Sequence, residues 1–127
     1  KMINIEFREL VGKTLSTVMC EIGNDEILFE TISGDRYKLY HEQDCCENVN
    51  VEDIIGDLED LIGSPLLMAE EVSHRDENPE GIDVPGGQES FTWTFYKLAT
   101  IRGSVTIRWY GKSNGCYSES VNFARIK

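Results

Sequence analysis

The residues best suited to chemistry gather in the C-terminal third. There Tyr96 precedes a run carrying Arg108, Trp109 and Tyr110, and the turn Gly111-Lys112-Ser113-Asn114-Gly115 follows. A guanidinium, hydroxyls and aromatic planes together suit a nucleotide-like ligand, with charge for phosphate and a flat surface for a base. The turn adds the Lys112 cation, the Asn114 amide and free backbone N–H groups. An ordinary solvated sheet face accounts for the same residues, through Tyr–Arg and Thr–Thr pairs worth roughly a few tenths of a kcal/mol each. The pattern alone leans to that plainer reading.

Two other clusters invite a chemical reading and support one less well. His41-Glu42-Gln43-Asp44-Cys45-Cys46 concentrates potential zinc ligands and nucleophiles but has no second pair of soft ligands at metal-site spacing. Packing of two small thiols where a strand passes into a helix explains it better. Cysteines 20, 45, 46 and 116 contain no CxxC pair, and adjacent Cys45 and Cys46 are poor partners for one another, so free thiols are expected. Glu70 and Glu71 are neighbours on an expected strand and point to opposite faces, which unsuits them as an acid and base pair. The chain has no G-x-x-x-x-G-K-[ST], G-x-S-x-G or H-E-x-x-H motif. Neither an enzyme nor a cofactor is called for.

The elements that must position these groups read as α+β in a single domain over residues 2–127. Asn4 to Gly12 suggests a short N-terminal helix with Phe7, Leu10 and Val11 inward. Thr14 to Ile22, Glu26 to Ile32 and Arg36 to His41, separated by Gly-, Asn- and Asp-rich turns, form an antiparallel meander. Over about 50–62 the apolar period changes from two to 3.6. Ile54, Ile55, Leu58, Leu61 and Ile62 line one stripe, Asn50 caps, and Gly63 and Pro65 terminate, so an amphipathic helix is expected. Leu66 to Ser73 is a strand, and 74–89 a long acidic surface loop. Phe91 to Thr100, Ser104 to Tyr110 and Cys116 to Arg125 complete the β structure. A three-residue turn at Ile101-Arg102-Gly103 would set Thr100 opposite Ser104. It would put Tyr96 on one polar face with Arg108 and Tyr110.

Composition limits the partners. Against 12 Lys plus Arg stand 23 Asp plus Glu, a net charge of −11, which disfavours a broad nucleic-acid surface. Residues 42–89 carry a balance of −14 and the remainder +3, so a small anionic ligand on the β segments stays possible. No run approaches the roughly 18 apolar residues that span a bilayer, and no charged-then-apolar leader opens the chain. Neither membrane insertion nor export is expected.

Several runs resemble a family of small proteins encoded by phages and prophages. They are His41 to Glu47, Val51 to Gly63, Met68-Ala69-Glu70-Glu71, Phe91 to Lys97 and Thr106 to Gly115. Through that family the chain is similar to the anti-Thoeris sponge proteins, which sequester the cyclic ADP-ribose signal of TIR-based immunity without cleaving it. The resemblance implies a non-enzymatic, homo-oligomeric binding protein in the cytoplasm of an infected bacterium, with a small cyclic nucleotide as ligand. It turns the polar face from a solvated surface into a site. Arg108 would contact phosphate, Tyr96, Trp109 or Tyr110 would stack on a base, and Asn114 and Lys112 would add polar contacts. Arg36 and Arg75 are further phosphate candidates because cations are scarce. The competing function is an acidic inhibitor that binds a basic host defence protein through the helix and loop, as a charge mimic.

Overall fold

A computed structural model describes residues 1–76 and 90–127. Among them nine strands run in chain order: β1 (Met2–Asn4), β2 (Leu15–Met19), β3 (Glu26–Thr31), β4 (Arg36–Tyr40), β5 (Asn48–Ile55), β6 (Met68–Arg75), β7 (Ser90–Thr100), β8 (Gly103–Ser113) and β9 (Asn122–Ile126). They make two antiparallel sheets, ordered β1-β9-β4-β3-β2 and β5-β8-β7-β6. The expected meander is present as β2-β3-β4. The α+β assignment is corrected to nearly all-β, because no α-helix occurs among the described residues. The short N-terminal helix is a 3-10 turn, Phe7–Leu10, and the amphipathic helix of 50–62 is strand β5 followed by a second 3-10 turn, Leu58–Leu61. Of the long loop expected over 74–89, His74 and Arg75 belong to β6, and residues 77–89 lie outside the described ones.

A β-bulge imitates the helical period. Val49 and Val51 face inward, the ladder to β8 then shifts between Val51 and Asp53, and Ile54 becomes the next inward residue. The extra residue, Glu52, stretches an inward spacing of two into one of three. Gly56 then leaves the strand at φ 111°, where a Cβ would lie 2.5 Å from the Ser104 carbonyl oxygen. Asp57 accepts a hydrogen bond from the Glu59 amide at 3.0 Å and starts the 3-10 turn that buries Leu61. Inward positions 51, 54, 58 and 61 thus follow one another at helical intervals without a helix.

The two sheets share one core. Phe7, carried on the first 3-10 turn, presents its ring edge-on to Phe29 and Phe123 of one sheet and to Tyr96 of the other, at centroid separations of 6.3, 5.2 and 4.8 Å. Tyr37 stacks on Phe123 at 5.6 Å. Leu98, Val105, Ile107 and Trp109 close the core from the four-stranded sheet. Fully burying side chains of this size contributes about 1.5–3 kcal/mol each.

The β7–β8 hairpin has a two-residue turn, Ile101-Arg102, with Thr100 paired to Gly103. Thr100 Oγ1 accepts a hydrogen bond from the Arg102 amide at 3.1 Å and donates one to the Asp60 carbonyl oxygen, which fixes where the turn begins. Relative to a three-residue turn the register slips by one, and every side chain of β7 changes its partner and face relative to β8. Tyr96 pairs with Ile107 and faces the core, whereas Arg108 pairs with Phe95 on the outer face.

Polar bonds pin the chain where it crosses between sheets. The β4–β5 connection carries His41 and Glu47, whose side chains are 2% and 1% exposed. His41 Nδ1 donates to the Ser120 carbonyl oxygen at 2.7 Å in the β8–β9 connection, and its Nε2 lies 3.1 Å from Glu47 Oε2. Glu119 accepts hydrogen bonds from Thr92 and Ser113 at 2.7 and 2.5 Å. The free thiols expected at Cys45 and Cys46 are instead joined as a disulfide within the same β4–β5 connection, while Cys20 and Cys116 are free. Burial works against a charge on Glu47, but its own amide, the Asp44 amide and His41 together lower its pKa below 4.5.

Gly56→Ala should destabilise the protein by about 2–4 kcal/mol in urea unfolding, because the new Cβ meets backbone and the φ is unsuited to alanine. The lowered pKa of Glu47 stabilises the fold fully above the ordinary glutamate value and is lost as pH falls through the lowered one. Unfolding free energy should therefore drop more steeply below pH 4.5 in the wild type than in Glu47→Gln. Equal slopes would remove Glu47 from the acid response.

Candidate functional site

The outer face of the four-stranded sheet is built of cross-strand rows. Asn50, Tyr110, Trp93 and His74 form one row across β5, β8, β7 and β6, and Asp53, Arg108, Phe95 and Val72 form the next. Asn48, Lys112 and Phe91 lie beyond the first row, and Ile55, Thr106, Lys97 and Glu70 beyond the second. Alternation along each strand sends these side chains away from the core that Tyr96, Ile107 and Trp109 enter.

Trp93 is the centre of this face. It is only 3% exposed yet stands outside the core cluster, with Tyr110 and Arg108 of its own face packed against it. The Tyr110 ring lies 4.6 Å from it and the Arg108 guanidinium 5.3 Å, a cation–π distance. Phe91 approaches Tyr110 at 6.3 Å, and His74 meets Phe95 edge-on at 5.9 Å. Burial, then the charge of Glu119, raise the pKa of the Tyr110 phenol, which keeps it a hydroxyl donor.

The bulge at Glu52 has a second effect here, since it directs two consecutive acids toward Arg108. The guanidinium donates through Nε and Nη2 to the Glu52 carboxylate, the latter at 3.1 Å, and its Nη2 lies 3.5 Å from Asp53 Oδ2. One cation faces two carboxylates, so a phosphate at Arg108 has to displace one of them. Lys112 is exposed and makes no ion pair among the described residues. It is the cation best placed for an anion beside the aromatic rows. Asn50 donates to Asn48 at 2.8 Å, leaving amide groups of both at the same edge.

The structure gathers three of the residues singled out from sequence, Arg108, Tyr110 and Lys112, on this one face. Asn114 lies just past β8, where its side chain accepts from the Cys116 amide at 3.0 Å. Tyr96 and Trp109 are fully buried in the core. The Tyr96 hydroxyl donates to Glu71 at 2.6 Å, and burial followed by that carboxylate drives its pKa far up. Arg75 borders a separate polar cavity of about 370 Å³ with Ser73, Thr92, Thr94 and Glu119. Arg36 borders an apolar groove of about 460 Å³ on the outer face of the five-stranded sheet, beside Met19, Leu28 and Ile126. These two arginines therefore do not join the aromatic face.

Sequence reasoning missed Trp93, Phe91, Phe95 and His74 as members of the face, along with Asn48 and Asn50. The signal was the alternation Phe91, Trp93, Phe95, which the expected three-residue turn set on the face opposite Arg108 and Tyr110. The described residues hold no group of three or more His, Cys, Asp or Glu side chains arranged to bind a metal ion, and no helix long and apolar enough to cross a membrane.

Residues 8–123 match the family described as "Domain of unknown function (DUF7448)", and the chain belongs to it. Nothing among curated proteins and nothing among solved structures matches the chain.

Replacing Arg108 by Ala should uncover Trp93 and leave Glu52 and Asp53 unpaired, at a cost of about 1–2 kcal/mol in unfolding free energy. Acrylamide should quench Trp93 more strongly in the variant. Lys at position 108 should restore only part of the loss, since an ammonium cannot reproduce the forked bond to Glu52.

Proposed function

We propose that this DUF7448 protein sequesters a cyclic nucleotide of cyclic ADP-ribose type on the outer face of its four-stranded sheet, holding it without cleavage, and so blocks TIR-based defence during phage infection. The observation that carries the reading is the Trp93 ring held between Tyr110 and Arg108, with Lys112 and two asparagines along the same edge. The resemblance of Val51 to Gly63, Phe91 to Lys97 and Thr106 to Gly115 to small phage-encoded proteins, and through that family to the anti-Thoeris sponges, supports it.

In this reading the exposed side of the Tyr110 and Phe91 rings receives adenine, and the Lys112 ammonium meets the pyrophosphate. Asn48 and Asn50 hydrogen-bond ribose or base edges. Arg108 acts chiefly by holding Trp93 and Tyr110 rigid, because its charge is spent on Glu52 and Asp53. Rigid walls matter for a sponge. It must bind its signal tightly enough to keep it below a receptor's threshold, and ordering side chains on binding costs about 0.5–1.5 kcal/mol apiece. A homo-oligomer would place several such faces in one particle, and the site works in the cytoplasm of the host.

The competing reading, an acidic inhibitor of a host protein, rests on the exposed turn bearing Asp57, Glu59 and Asp60. It is weakened because Glu52 and Asp53 are engaged by Arg108 and the described residues hold no amphipathic helix to dock.

Mixing the purified protein with cyclic ADP-ribose isomers, filtering, and then releasing bound ligand by heat tests the proposal. Depletion followed by recovery of intact ligand is expected. Loss of one stacking ring is worth about 1–3 kcal/mol. Tyr110→Ala should therefore weaken capture roughly tenfold or more, and Lys112→Ala should weaken it with a reduced salt dependence. Tyr96→Phe should capture as the wild type does. Ligand returned in altered form would make the protein an enzyme, and no depletion would leave the acidic-turn reading standing.

A further inference from the structure

The Cys45–Cys46 bond lies outside the cross-strand rows of the aromatic face and adds little to global stability. A disulfide stabilises chiefly by removing chain entropy from the unfolded state, and that gain grows with the length of the loop closed. Adjacent residues close the shortest loop there is. Any effect of this bond is therefore local, on the segment that carries it.

That segment is the crossover from β4 in one sheet to β5 in the other. Next to the disulfide, the Asp44 amide donates to both Glu47 carboxylate oxygens at 3.1 Å, and Gln43 Nε2 donates to the Glu47 carbonyl oxygen at 3.0 Å. Glu47 in turn meets the buried His41, whose other ring nitrogen holds Ser120 in the second crossover. The conformation of residues 44–47 is thus wired directly to the buried bonds joining the sheets. Both sulfur-bearing residues are exposed, so a small thiol can reach them. The remaining cysteines differ: Cys20 is half-buried with its pKa raised to about 11 by burial and by Glu21, whereas Cys116 is exposed.

We propose that Cys45 and Cys46 form a thiol–disulfide exchange site for small-molecule thiols of the glutathione type, and that its redox state sets the order of the β4–β5 crossover. In the forward direction a glutathione thiolate attacks one cysteine sulfur, the Sγ–Sγ bond breaks, and the other cysteine leaves as a thiolate and takes a proton. A second glutathione thiolate attacks the resulting mixed disulfide, releasing the first cysteine as a thiol. The protein disulfide gains two electrons and two protons, and two glutathiones become one glutathione disulfide. Oxidised, the pair holds Asp44 against Glu47. Reduced, the turn is restrained by hydrogen bonds alone.

The full chain, in a Cys116→Ser background that removes scrambling, is equilibrated in buffers spanning reduced to oxidised glutathione. It is then quenched with N-ethylmaleimide and mapped by mass spectrometry. Cys45 and Cys46 should change together, as one two-electron transition reversible from either end, with Cys20 unlabelled throughout. Amide exchange at Asp44 and Glu47 should rise at least about tenfold on reduction. A Cys45→Ser/Cys46→Ser variant should show the faster exchange in every buffer. Alkylation of both cysteines at the most oxidising ratio, or of neither at the most reducing, would overturn the exchange site. Unchanged amide exchange across a completed transition would overturn the coupling to the crossover.

Discussion

The hydroxyl of Thr100 sits between the Arg102 amide and the Asp60 carbonyl oxygen, and the two long strands of the second sheet take their register from that arrangement. A side-chain bond at the end of a strand ordinarily stabilises by about 0.5–1.5 kcal/mol. Here it also decides between two assignments of the same residues, because a slip of one moves side chains from core to solvent. With Thr100 opposite Gly103, Tyr96 and Leu98 join Ile107 and Trp109 in the core, and Trp93 and Phe95 join Arg108 and Tyr110 outside it. The aromatic face and the hydrophobic core are two consequences of one register. The first becomes available for binding only because the second is filled without it.

A sandwich must carry its chain from sheet to sheet, and the crossings expose backbone groups to an interior that cannot solvate them. This protein answers with carboxylates. Glu119 accepts hydrogen bonds from the Thr92 and Ser113 hydroxyls, and Glu47 accepts from the Asp44 amide and faces His41. Each brings a charge into a nearly dry place, which is tolerable only because hydrogen bonds surround it. The arrangement concentrates polar structure at one end of the sandwich, where β5 begins and β8 ends. Lys112 and Asn48 stand at the same end. The edge that would meet a ligand's phosphates is therefore held by the crossovers rather than by the core.

The strands were largely legible from alternation and from turns rich in Gly, Asn and Asp, and the meander β2-β3-β4 follows from those alone. The helix over 50–62 was misread because a bulge and a 3-10 turn together reproduce intervals of three and four. Gly56 was the contrary signal, since a glycine at the centre of a helix costs about 1 kcal/mol relative to alanine. For the site, Arg108, Tyr110 and Lys112 were found by chemistry, but the choice between Tyr96 and Trp93 depended on a hairpin register. Sorting by size could not settle it, because β7 carries large aromatic residues on both faces. The decisive bond joins Thr100 to Asp60, 40 residues away in sequence. No pattern confined to the hairpin contains that information.

The acidity of the chain constrains what the face can hold. Glu52 and Asp53 stand on the face itself and leave the neighbourhood of Arg108 with an excess of one negative charge. At physiological salt, exposed charges more than about 8 Å apart are largely screened, so distant acids matter little while these two matter fully. A polyanion lying along the face would meet that repulsion where it passes Arg108. A compact ligand escapes it, provided its rings cover the Tyr110 and Phe91 side while its phosphates stay near Lys112. In the proposed function the carboxylates would therefore do more than neutralise Arg108: they would disfavour a phosphate beside it and favour a small nucleotide whose charge sits at the Lys112 end of a flat body.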